Sequence, residues 1–124
     1  MALQPGTPEY REALAALTTV LTVRAQTGNE LYTYKQVALL LQDLGHPVHW
    51  RGSTLSLLLG DLCRQEAAKG APMLSAIVVN APVRYGKPSQ RFFDLAGEYP
   101  FNRGEGWTWE QERERVFDYY SQAA

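Results

Sequence analysis

The chain has 124 residues, 45% of them hydrophobic and 20% charged, with a net charge of −1. That length and composition fit one soluble globular domain with a real core and argue against a disordered chain. No apolar run approaches the roughly 20 residues a membrane helix needs, and the near-neutral total argues against a strong nonspecific nucleic-acid binder.

The charge is unevenly spread. Residues 51–93 hold six basic against two acidic side chains, a local +4, whereas residues 94–124 hold three against seven, a local −4. A basic middle beside an acidic end permits one positive face. Cys63 is the only cysteine, which excludes an internal disulfide and suits a reducing cytoplasm. The first residues lack a basic stretch followed by an apolar one, so no export signal is expected and the predicted location is cytoplasmic.

Residues 1–6 read as a loose leader to a single domain spanning 1–124. Thr7-Pro8-Glu9 then forms a helix start: a capping hydroxyl, a proline at the first helical position and an acid in the first turn. Tyr10, Leu14, Leu17 and Leu21 share one face of this helix, which ends before Gly28-Asn29. Leu31-Tyr32 is a short edge strand. Thr33-Tyr34-Lys35-Gln36 is a capping box opening a second helix, with Val37, Leu40, Leu41 and Leu44 inward and Gly45-His46-Pro47 as its stop.

After the compact connection 48–52, Ser53 is expected to cap a third helix with Leu55, Leu58, Leu59 and Leu62 inward. Met73 to Val79 is rich in β-branched residues and reads as a strand. Asn80 to Pro88 reads as a long hairpin tip punctuated by Gly and Pro. Residues 90–95 are either the returning strand or a short helix. A second capping box, Thr108 to Gln111, opens a C-terminal docking helix over 107–122, with Trp109, Arg113, Val116, Phe117 and Tyr120 on its docking face.

The predicted class is therefore α+β, mainly α. The order is helix, short strand, helix, helix, β-hairpin wing and C-terminal helix, a winged helix-turn-helix.

Between Tyr32 and Phe93 the chain resembles the DNA-binding domain of the alkylguanine-DNA alkyltransferases and alkyltransferase-like proteins. The resemblance is carried by Thr33-Tyr34-Lys35-Gln36-Val37-Ala38, Gly45-His46-Pro47, Arg51-Gly52 and Ala76-Ile77-Val78-Val79, in that order. It covers about half the chain and implies docking on double-stranded DNA, with a DNA-contacting arginine at Arg51. The family's reactive Pro-Cys-His-Arg motif is absent, so no alkyl transfer is implied and no enzyme activity is expected.

The candidate DNA-contacting residues follow from the winged-helix reading. Ser53, Thr54 and Ser56 start the third helix, the element that enters the major groove, and Arg64 lies further along it. Arg51 precedes that helix and could reach a phosphate, or simply stack on Trp50. Arg84, Tyr85, Lys87 and Arg91 make the densest basic cluster, suited to backbone or minor-groove contact. Lys35 starts the second helix. No cofactor is expected. His46, His49 and Cys63 lack a fourth ligand and a closed-site spacing, so no metal is expected either. Glu110, Glu112, Glu114 and Asp118 alternate with Arg113 and Arg115 and are read as a solvated, mutually paired helix face. Tyr99, Phe101, Trp107, Trp109, Phe117, Tyr119 and Tyr120 outnumber what one helix face hides. The surplus suggests a protein partner or homodimer contact, and an adaptor that binds no DNA is the alternative function.

Overall fold

The computed structural model describes residues 3–122. It is α+β and mainly helical, in the order α1 (Pro8–Gln26), β1 (Tyr32–Thr33), α2 (Tyr34–Asp43), α3 (Ser53–Ala67), a 3-10 turn (Leu74–Ile77), β2 (Val78–Val79), α4 (Gln90–Ala96) and α5 (Trp109–Gln122). None of these helices is long and apolar enough to cross a membrane.

Helix starts follow the capping chemistry in the sequence. Thr7 Oγ1 accepts from the Tyr10 amide and Pro8 opens α1. Thr33 and Gln36 form the reciprocal capping box of α2. Thr108 and Gln111 do the same ahead of α5. One cap differs. Gly52, not Ser53, caps α3, and no side chain satisfies its first amides. The Gly52 amide is instead bonded to the His49 carbonyl at 3.0 Å, so the turn tightens one residue early and Ser53 falls inside the helix.

The core is a single cluster. Leu17 and Leu21 of α1, Leu58 and Leu62 of α3, and the buried run 71–79 form its centre, with α1, α3 and α5 around the 3-10 turn. Of the expected loose leader, Leu3 is buried and the Gln4 carbonyl bonds the Thr7 amide, while Gln4, Pro5 and Gly6 are exposed; residues 1–2 lie outside the described part. In α2, Ala38 joins Val37 and Leu41 inward, while Leu44 is 57% exposed. Leu44 caps the helix, and the chain turns away at Gly45, whose φ of +92° needs no Cβ.

The expected β-hairpin wing does not form. Strand β2 pairs in parallel with β1, Tyr32 opposite Val78 and Thr33 opposite Val79. Residues 74–77 are a 3-10 turn and residues 90–96 are the helix α4. An uninterrupted apolar run carries no period that separates strand from helix. Phe92, Leu95 and Ala96 are the buried positions of α4, a helical spacing. The buried backbone of 73–77 draws partners from the C-terminal segment. Trp109 Nε1 donates to the Ala76 carbonyl at 2.8 Å, and the Met73 amide donates to Glu112 Oε2 at 2.8 Å.

Glu112 is the second correction. It is fully buried rather than part of a solvated face. Arg103 donates to it twice, at 3.0 and 2.9 Å, and Trp107 Nε1 donates at 2.8 Å. Burial alone would raise its pKa, but the donors from Arg103, Met73 and Trp107 outweigh that and hold it below the usual range. Glu110, Glu114 and Asp118 are exposed as expected. Most of the C-terminal aromatics are also absorbed: Phe101, Trp109, Phe117 and Tyr120 are buried, and Trp107 packs against Phe92 and Phe93. Tyr99 and Tyr119 are the exposed remainder.

Candidate nucleic-acid interface

The front of α3 is open. Helix α5 packs on α1 and the 3-10 turn, and it meets α3 through Tyr120, whose hydroxyl donates to Glu66 near the far end of α3. Ser53 is exposed and Thr54 half-buried, and both line a shallow cleft with Gln42, Pro47 and His49. The uncapped amides of α3 begin at this cleft.

Arg51 is exposed and lies over the Trp50 ring, 4.5 Å from its centroid. Its amide donates to His49 Nδ1, and the His49 and Trp50 rings stack within 11° of parallel. Stacking on Trp50 leaves the Arg51 guanidinium at the surface beside the start of α3.

Arg84, Tyr85 and Lys87 are exposed in a loop over 80–88 that is anchored by buried Pro88, and are not at the tip of a hairpin. The loop closes on itself: the Asn80 amide and side chain both donate to the Lys87 carbonyl, at 2.9 and 3.1 Å. Gly86 passes so near Asn80 that a Cβ there would overlap the Asn80 carbonyl. Tyr85 is 75% exposed, with the Arg84 guanidinium 5.5 Å from its ring.

Ser56, Arg64 and Arg91 come together. They line a groove of about 250 Å³ between α3 and α4, along with Tyr34 and Ser89. The Ser89 amide donates to Tyr34 Oη at 2.7 Å, so the start of α2, including exposed Lys35, is fastened beside the start of α4. Burial raises the Tyr34 pKa, opposed by that bond from Ser89, and the phenol is neutral at physiological pH. Sequence reasoning missed Tyr34, Ser89 and Gly60 as groove residues. Gly60, isolated inside a leucine-rich helix, was the one visible signal.

Apart from Arg11, which donates to the Gly6 carbonyl, the cations sort into two groups. Arg24, Arg64, Lys69, Arg103, Arg113 and Arg115 each have a carboxylate partner. Lys35, Arg51, Arg84, Lys87 and Arg91 have none within the described residues. Arg64 is the only candidate contact that is paired, to Asp61 at 3.3 Å.

Cys63 is buried and 3.1 Å from Ser75 Oγ, and burial pushes its thiol pKa up. Among the described residues no three His, Cys, Asp or Glu side chains cluster as metal ligands. No family model, curated protein or solved structure matches this chain.

Proposed function

We propose that this chain is a non-enzymatic double-stranded DNA-binding module, a regulator or an accessory protein that recognises a DNA structure, acting in a reducing cytoplasm. Helices α2 and α3 serve as the helix-turn-helix and α3 enters the major groove. The closed loop 80–88 takes the part of the wing, in keeping with the resemblance to the alkyltransferase DNA-binding domain. The observation that carries the reading is the pairing pattern. The cations left without carboxylate partners are, apart from Arg11, those on α2, α4, the loop and the turn before α3. Unpaired surface cations meet phosphates without first breaking an ion pair.

The test is fluorescence anisotropy with a labelled DNA duplex across a salt series, using the native chain and the Arg84→Glu, Lys87→Glu double variant. Native affinity should fall linearly with salt on logarithmic axes. The double variant should bind more weakly, with a slope reduced by about two, one for each lost phosphate contact. Salt-independent binding, or an unchanged double variant, would sink the proposal.

A second reading, the protein-interaction adaptor, draws on one observation: Trp50 and Leu57 are 37% and 41% exposed, with Leu39 and Leu44 also at the surface. A partner held by that apolar surface would remain bound to the double variant, with little dependence on salt.

A further inference from the structure

The groove between α3 and α4 has a composition that phosphate contact does not explain. Its charged lining is balanced, Arg64 and Arg91 against Asp94 and Glu98. Two carboxylates in a slot meant for an anion alone would repel the ligand. The charges are also ordered along α4 and the turn that follows it. At the helical rise, Asp94 lies roughly 4.5 Å beyond Arg91 along the axis, and Glu98 follows in the turn after the Gly97 cap. Apolar Phe92 and Leu95 lie between.

Hydroxyls gather at the Arg91 end. Tyr34 Oη accepts the Ser89 amide, which leaves its own proton free to donate. The Ser89 side chain makes no capping bond to α4. Arg91 has no carboxylate partner among the described residues, because Asp94 is bonded to Gln90 at 3.0 Å. Gly60 also lines the groove. A Cβ there would meet Arg64 Nη1 at 3.4 Å, so the missing side chain gives the Arg64 guanidinium room against α3. A mid-helix glycine is unfavourable for the helix itself, and the open groove supplies its reason.

We propose that this groove binds a small dipolar molecule whose carboxylate and ammonium groups stand several ångströms apart, in the class of basic or ω-amino acids. The carboxylate meets Arg91, Ser89 and Tyr34. The methylene chain lies over Phe92 and Leu95. The ammonium meets Asp94 and Glu98. This site shares Arg91 with the proposed duplex contacts, but its test contains no DNA and reads the groove whether or not the chain binds DNA.

The test is an amide chemical-shift titration of the full chain with 6-aminohexanoate, with hexanoate and hexylamine as single-charge probes. Saturable shifts confined to α3, α4 and the start of α2 are expected for 6-aminohexanoate, at concentrations at least about tenfold below either control, as losing one charge-assisted hydrogen bond implies. Arg91→Gln and Glu98→Gln, both at exposed positions, should each weaken that binding roughly tenfold while leaving the spectrum of the remaining fold unchanged. No saturable shift, or an equal response to hexanoate (an anion site only) or to hexylamine (a cation site only), would overturn the proposal.

Discussion

The Tyr120 hydroxyl donates to Glu66 Oε1 across 2.9 Å, and both side chains are buried. This bond fastens the acidic last helix to the rear of α3 and keeps its carboxylates away from the basic turn before Ser53. Burial, then the bond to Glu66, raises the Tyr120 pKa far above its ordinary value, so the phenol stays a donor at every physiological pH. Tyr120→Phe removes the donor and leaves Glu66 with Lys69 and Gln65. We expect a loss of about 1.5–3 kcal/mol, the usual effect for a hydrogen bond to a charged group. Urea denaturation of the two proteins checks it.

Glu112 should be far less tolerant of substitution. Glu112→Ala strips acceptors from Arg103, Trp107 and the Met73 amide at once. It also leaves a cavity beside a guanidinium with 19% side-chain exposure. Removing one partner of a buried ion pair destabilises by about 3–5 kcal/mol. Thermal unfolding followed by circular dichroism should show a large drop in midpoint, whereas Glu114→Ala on the exposed face should shift it little.

Acid sensitivity follows from the same two carboxylates. Burial raises the pKa of both Glu66 and Glu112, but their donors outweigh it, led by Lys69 and Tyr120 for Glu66 and by Arg103 for Glu112. Both therefore lie below the ordinary value of 4.5. A depressed folded value means the native state favours the ionised form. The resulting stability is fully present above the unfolded value and is lost as pH falls through the lower folded values. Denaturation midpoints between pH 7 and pH 3 should be level at first and then decline below about pH 4.5. A decline that begins near neutrality would contradict this assignment.

Gly86→Ala separates loop shape from loop charge. The added Cβ would overlap the Asn80 carbonyl, so the closure between Asn80 and Lys87 must open, although Arg84 and Lys87 are retained. Duplex affinity should fall while net charge stays constant. Anisotropy beside a thermal melt distinguishes this from global unfolding, because residues 80–85 and Lys87 of the loop are exposed.

Gly60→Ala should stabilise the fold. The new methyl meets Arg64 Nη1 at 3.4 Å, an ordinary contact with the end of a flexible side chain. The helix gains about 0.5–1 kcal/mol from the better helix former. Urea denaturation should show a raised midpoint with an unchanged slope.

Local chemistry was readable directly. Thr7, Thr33 with Gln36, and Thr108 with Gln111 announce three helix starts, because a cap needs only residues within one turn of itself. The inward faces of α1 and α3, and the apolar positions Trp109, Val116, Phe117 and Tyr120 of α5, were equally plain, since a 3.6-residue period survives in any tertiary setting. The partner of β2 was not readable. Val78 and Val79 are covered on all sides, so they carry no alternation, and whether they pair with β1 or with a returning strand depends on where α1 and α5 place the run 71–79.

The candidate site divides along the same line. Identity and charge marked Arg51, Arg84, Lys87 and Arg91 as surface cations. Their lack of carboxylate partners, and the meeting of Arg91 with Ser56 and Arg64 across a groove, became visible only once the chain was packed. Glu112 is the clearest case. On its own helix it is one of several acids beside arginines, and it is buried because Met73, from a distant stretch of chain, meets it together with Arg103 and Trp107 from the segment leading into α5. A carboxylate's neighbours along the sequence determine its local charge, but desolvation and hydrogen-bond count are properties of three-dimensional packing, so tertiary structure alone decided which acid became structural.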